Sequence, residues 1–86
     1  MDKRFPLQFP CTFPLKIMGQ NSEAFAGAVR TICESHVSPD QVHYAQRLSS
    51  GGKYLSITAT CVVESQTQLD TIYRALKSHE LVLLTL

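Results

Sequence analysis

No apolar run in this sequence is long enough to cross a membrane. The longest, Thr58 to Val63 and Leu81 to Leu86, fall far short of the roughly 20 residues that a spanning helix requires. Charge of one sign is scarce as well: eight Lys plus Arg stand against seven Asp plus Glu, a net charge of +1. That balance excludes a polybasic nucleic-acid arm. Cysteine is sparse and odd in number. Cys11, Cys33 and Cys61 are too widely separated for a C-x-x-C metal or redox site and do not form a disulfide framework. Free thiols are therefore expected. The opening residues Met1 to Pro6 carry charge and lead into further prolines. They lack the roughly 7–15-residue apolar core of a secretory signal, so a cytoplasmic protein is the expectation.

What is present suffices for one domain. Of 86 residues, 44% are hydrophobic and 17% charged, the balance of a compact globule too short to divide its core. Phe5-Pro6, Phe9-Pro10 and Phe13-Pro14 exclude a regular helix at the start. An extended arm is expected over residues 1–11, followed by a single domain over 12–86. From Thr12 to Gly19, Phe13, Leu15 and Ile17 alternate with Pro14, Lys16 and Met18, which reads as a half-buried strand with Pro14 at its edge or start. Phe25, Ala28, Val29, Ile32 and Cys33 recur at helical spacing, predicting a helix from about Ser22 to His36 that ends before Pro39.

Val42, Tyr44, Gln46 and Leu48 then alternate up to the turn cluster Ser49-Ser50-Gly51-Gly52. The strongest alternation follows, with Leu55, Ile57, Ala59, Cys61 and Val63 opposed to Tyr54, Ser56, Thr58 and Thr60. Ser65 to Gln68 has the form of a capping box, leading a second helix through Leu69, Ile72, Tyr73 and Leu76 to about His79. A last strand runs from Leu81 to Leu86. The order βαββαβ predicts an α+β ferredoxin-like sandwich: a four-stranded antiparallel sheet, order 4-1-3-2, with both helices on one face. Phe13, Leu15, Ile17, Leu55, Ile57, Ala59, Cys61, Val82 and Leu84 are expected to face the helices. The other face is then uncovered and carries Lys16, Met18, Tyr54, Ser56 and Thr58, with Leu83.

Fold does not fix function, so each chemistry must be sought in residues. The loop after the first strand has neither the arginine of a small phosphatase nor the paired thiols of a metal carrier. An RNA-recognition sheet needs stacking aromatics, and on the outward phase only Tyr54 answers. Cys33 and Cys61 fall on apolar phases, where they read as core. His36 and His79 read as helix-end residues and His43 as solvated. Glu23 and Glu34 lie too far apart on one helix, and Asp70 and Glu80 on different elements, for a carboxylate pair. No catalytic constellation and no cofactor or metal site is expected. Two binding candidates remain. Gly19-Gln20-Asn21-Ser22 sets helix-start N–H groups beside two side-chain amides, which suits a carboxylate. The hairpin Ser49 to Tyr54 offers glycines and Lys53.

Phe9-Pro10, Phe13, Lys16-Ile17-Met18-Gly19, Ser49-Ser50, Gly52-Lys53-Tyr54, Ser56, Thr58, Gln68-Leu69-Asp70 and Ile72-Tyr73-Arg74 together resemble the YbeD-like family of small bacterial proteins, over nearly the whole chain. The resemblance implies the ferredoxin-like fold, close to ACT-type regulatory domains that sense small molecules. It also carries the label of lipoic-acid-binding regulators. ACT-type domains bind ligands near the turn after the first strand, at an interface formed by pairing two domains. The resemblance thus implies a ligand at Gly19, Gln20, Asn21 and Ser22. An ACT domain is usually joined to an enzyme, whereas this chain stands alone and would act on a separate protein. The leading expectation is a non-enzymatic regulatory or ligand-sensing domain that binds a small carboxylate such as lipoate. The alternative is a protein-interaction module, or a homodimer, using Lys16, Met18, Tyr54, Ser56 and Thr58 on the open face, with no nucleic acid or membrane as partner.

Overall fold

A computed structural model describes residues 8–86. The larger part of the expected arm, residues 1–7, lies outside the described residues. Strand β1 spans Cys11–Gln20, helix α1 Glu23–Glu34, β2 Val42–Leu48, β3 Tyr54–Val63, helix α2 Gln66–Ser78 and β4 Val82–Thr85, with one 3-10 turn at Pro39–Gln41. The sheet order is β2-β3-β1-β4 with every pairing antiparallel. This is the predicted 4-1-3-2 order read from the opposite edge. Cys11 opens β1 and packs partly buried against the core, so it belongs to the strand and not to the arm.

The helices begin where capping chemistry permits. The Ser22 hydroxyl accepts from Phe25 N, and the Ser65 hydroxyl from Gln68 N, each at 3.1 Å. These bonds satisfy N–H groups that a helix start leaves unpaired. The Gln68 side chain reaches back to accept from Glu64 N at 2.6 Å and donates to His36 O at 2.7 Å. The capping box thus also fastens α2 to the turn after α1. Helix α1 stops at Glu34, two residues before the predicted end, because the Ser35 hydroxyl donates to Thr31 O at 2.7 Å and the chain then turns at His36. His79 closes α2, and its Nδ1 accepts from Leu81 N at 3.1 Å.

One core fills the space between sheet and helices. Leu15, Ile17, Leu55, Ile57, Ala59, Cys61 and Val63 meet Phe25, Val29 and Cys33 of α1 and Leu69, Ile72 and Leu76 of α2. The strict alternation of β3 is realised at every position. Phe13 faces the helices half-buried, edge-on to Tyr73 with ring centroids 6.3 Å apart. Pro14 sits inside β1, paired with Thr60, and not at its edge or start. Lys16 directs its N–H and C=O toward β4, as its bonds with Leu86 show. Pro14, two residues earlier, has the same orientation. Its missing N–H therefore points where β4 no longer runs, since that strand pairs only with Ile17 to Gly19 and its extension with Lys16.

The last strand departs from simple alternation. Val82 pairs with Gly19 but Leu84 pairs with Met18, with a bulge between. The extra residue reverses the phase. Val82 stays half-buried on the helix side, whereas Leu84, expected to face the helices, emerges on the open face with 48% of its surface exposed. Thr85, opposite Ile17, takes the inward place. Leu83 is the residue the bulge displaces. It shares a hollow with Ser22, Phe25 and Leu81 at the start of α1, instead of lying beside Met18 on the open face.

Candidate functional site

The turn between β1 and α1 is occupied by structural tasks. Gly19 and Gln20 are the last residues of β1. A Cβ on Gly19 would stand 2.5 Å from Phe25 Cδ1 and 2.7 Å from Leu81 O. Asn21 N donates to Lys53 O at 2.9 Å and its Nδ2 to Gly52 O at 3.1 Å, clasping the β2–β3 hairpin. Ser22 caps α1. The adjoining hollow of about 210 Å³ contains Glu80, and Glu23 lies in the first turn of α1. Two carboxylates there oppose the partial positive charge of the helix start toward a bound anion.

The open sheet face is built differently. Antiparallel register sets directly opposed residues on one face, so its rows follow from the pairing. Arg47, Ser56, Met18 and Leu84 form one row across all four strands. Ala45, Thr58, Lys16 and Leu86 form the next, the last two joined by reciprocal backbone bonds of 2.8 and 3.3 Å. All five residues predicted for this face, Lys16, Met18, Tyr54, Ser56 and Thr58, lie on it. A hollow of about 420 Å³ is lined by Met18, Arg47, Leu48, Ser49, Ser50, Tyr54 and Ser56. A second of about 350 Å³ adjoins it between Lys16 and Arg47.

The hairpin that walls the larger hollow is held from several sides. Ser49 Oγ accepts from Tyr54 N at 3.0 Å, and Gly52 N donates to Ser49 O at 2.8 Å. Gly51 and Gly52 have φ of 88° and 75°, a region that favours glycine. The Lys53 ammonium lies 5.4 Å from the Tyr54 ring centroid, placing a cation at the rim. Arg47, Leu48 and Leu84 were not among the predicted site residues. The outward phase of β2 identifies Arg47, whereas Leu84 is revealed only by the bulge.

The remaining reactive groups lie elsewhere. Cys33 and Cys61 are fully buried. The Cys61 sulfur beside it, together with burial, pushes the Cys33 thiol far above its ordinary value. Such a thiol is not a nucleophile. Tyr44 donates to Glu34 Oε2 at 2.9 Å, and the Arg30 guanidinium lies 4.5 Å from its ring centroid. Burial, then that hydrogen bond, raises the Tyr44 phenol above its usual range. His43 stands on the open face opposite Thr60. Among the described residues no group of three His, Cys, Asp or Glu is placed to hold a metal ion, and no helix is long and apolar enough to cross a membrane.

Comparison with known proteins places the chain. The family described as "Protein of unknown function (DUF493)" matches residues 6–86. A UPF0250 protein of Neisseria meningitidis serogroup A is 49% identical over 77 residues, covering 88% of this chain and 85% of that one. A UPF0250 protein of Nitrosomonas europaea is 38% identical over 81 residues, covering 93% of each. The solution structure of protein HP0495 from H. pylori superposes with a TM-score of 0.80 over 99% of this chain and 91% of that one. At 15% identity that likeness shows the fold alone. With a match along nearly its whole length, the chain belongs to the DUF493 (UPF0250) family of small bacterial proteins of unknown function, the YbeD-like family that its sequence resembles.

Proposed function

We propose that this protein is a non-enzymatic regulatory module that acts by binding, with the open sheet face as its binding surface and a separate protein as its partner. One observation carries the reading: the helices cover a single face of the sheet, and the uncovered face sets Met18, Leu84 and Leu86 beside Lys16 and Arg47. Met18 and Leu84 are 37% and 48% exposed. Grouped apolar side chains rimmed by polar ones are the usual mark of an interaction site. The hollows there open to solvent and run from strand to strand, which suits a surface contact better than an enclosed substrate. The test is photo-crosslinking in cells from a benzoylphenylalanine placed at Met18, with the same group at Arg74 on exposed α2 as control. A discrete adduct from position 18 and none from 74 supports the reading; adducts only from 74 overturn it.

A second reading keeps the small carboxylate, such as lipoate, as the sensed ligand. The hollow lined by Arg47, Met18, Leu48 and Tyr54 favours it, pairing a guanidinium with an apolar floor. In this reading the ligand lies on the open face, away from Glu23 and Glu80 at the Gly19 to Ser22 turn. A thermal-shift series with lipoate, octanoate, amino acids and nucleotides tests it. A ligand at 100 times its dissociation constant stabilises by about 2.7 kcal/mol, a shift of many degrees for so small a domain. The gain should vanish in Arg47→Ala.

A further inference from the structure

Cations stand on both sides of this molecule, on the helices as Arg30, Arg74 and Lys77 and on the sheet as Lys16 and Arg47, but the carboxylates do not. Among the described residues the carboxylate side chains are Glu23 and Glu34 on α1, Asp40 in the 3-10 turn, Glu64 after β3, Asp70 on α2 and Glu80 before β4. None stands on the rows that cross the open face at Ser56 and Thr58. Those rows carry Arg47 and Lys16, with Lys53 at the rim. Among the described residues, neither Arg47 nor Lys16 meets a carboxylate side chain, whereas Arg30 on the helix side pairs with Glu34 at 3.3 Å. Asp40 and Glu64 border a different hollow, around Val62 at the far end of β3. The open face is therefore cationic at its hairpin end.

We infer that this face docks an acidic amphipathic segment of a partner protein, whose carboxylates meet Arg47 and Lys16 while its apolar side chains cover Met18 and Leu84. The inference rests on the reading of the open face as a binding surface and adds the chemistry of what binds. Each cation shares its row with apolar residues: Arg47 with Met18 and Leu84, and Lys16 with Leu86 and Ala45. With strands about 4.8 Å apart and about 3.4 Å per residue, the two cationic positions are roughly 12 Å from one another. Two carboxylates four residues apart on an extended segment, or two turns apart on a helix, span about that distance. Ser56 and Thr58 lie between the cations and supply hydroxyl partners.

Other occupants fit less well. A second copy meeting face to face would bring both copies' cations into one interface, where like charges oppose association. A single-stranded nucleic acid needs aromatic platforms. Phe9, Phe13, Phe25, Tyr44 and Tyr73 all pack against the core on the helix side, leaving Tyr54 and the His43 imidazole as the rings on this face among the described residues, and these stand at opposite ends of it on different strands.

Selection of a displayed library of random 16-residue peptides on the immobilised full chain tests this without presuming a partner. The expected result is enrichment of sequences with at least two carboxylates among apolar residues. The best synthetic peptide should perturb the amides of Lys16, Met18, Arg47 and Ser56. It should lose at least tenfold in affinity to Lys16→Glu/Arg47→Glu and little to Arg74→Glu on α2. Enriched peptides that perturb the open face but lack carboxylates overturn the charge inference and leave the face a binding surface. Peptides that map to the helices, or no enrichment at all, overturn both. A 12-nucleotide RNA that binds the face more tightly than any peptide also overturns the inference.

Discussion

The Phe25 ring stands directly over Gly19, so near that the space for a Cβ is already filled. This close approach brings the start of α1 down on the end of β1. Gly19→Ala should therefore destabilise the fold by roughly 1–3 kcal/mol through overpacking against the ring and the Leu81 carbonyl. Gly27 supplies the contrast, being exposed within α1 with nothing within 4 Å of its Cβ position. Gly27→Ala should stabilise by about 0.5–1 kcal/mol through helix propensity. Urea denaturation midpoints of the two variants should move in opposite directions. A neutral Gly19→Ala would show that Phe25 swings aside.

The two faces of β3 should respond oppositely to charge. Ile57 is 2% exposed, at the centre of the core, and Thr58, the next residue, opens onto the uncovered face. Ile57→Asp buries a carboxylate without a partner and should abolish cooperative folding. Thr58→Asp places the same group on the face opposite Lys16, where the cost should stay within about 1 kcal/mol. Circular dichroism melts of both variants check this. Equal losses would contradict the register.

Most of the fold was legible because its strands are half-buried. One buried face imposes period-two alternation, and β3 shows it without interruption from Tyr54 to Val63. The Val82-Leu83-Leu84-Thr85 run has no such pattern. Three successive apolar residues give no phase, and the bulge that sends Leu84 outward depends on how β4 meets Gly19 and Met18. The open-face residues followed from alternation in β1 and β3, and Arg47 was available by the same logic in β2. At the Gly19 to Ser22 turn, helix-start chemistry was visible but its competitors were not. Asn21 is engaged by Lys53 and Gly52 through a contact spanning more than thirty positions of sequence, and Glu80 arrives from the far end of the chain.

The three thiols should separate by burial. Cys33 and Cys61 are fully buried, and the neighbouring sulfur and burial hold Cys33 protonated. Native alkylation should leave both unmodified for hours, with reaction only on unfolding. Cys11 packs half-buried at the start of β1 and should react at an intermediate rate, more slowly than an unstructured thiol. Mass spectrometry over a time course reads this directly. Labelling of Cys61 as fast as Cys11 would place it off the core.

The Tyr44–Glu34 contact predicts a pH dependence whose sign is fixed by the proton. The phenol donates to the carboxylate at 2.9 Å, and burial together with this bond raises its pKa above the ordinary value of 10.0. In the unfolded chain the phenol ionises near that ordinary value. The folded state therefore holds a proton that the unfolded state releases as pH rises through about 10. Stability from this group is fully present below that pH and is lost above it. Tyr44→Phe removes both the bond and the titration. At pH 7 the variant should be less stable by about 1 kcal/mol, the net value of a hydrogen bond to a charged group at a partly exposed site. Between pH 10 and 11 wild type should lose ground by up to about 1.4 kcal/mol per pH unit relative to the variant, so the gap closes. Every other group is common to the two proteins and cancels in the difference. Urea midpoints of the pair at pH 7, 9 and 10.5 measure it. A gap that stays constant across that series would mean that the Tyr44 hydroxyl faces water and that β2 is held to α1 by packing alone.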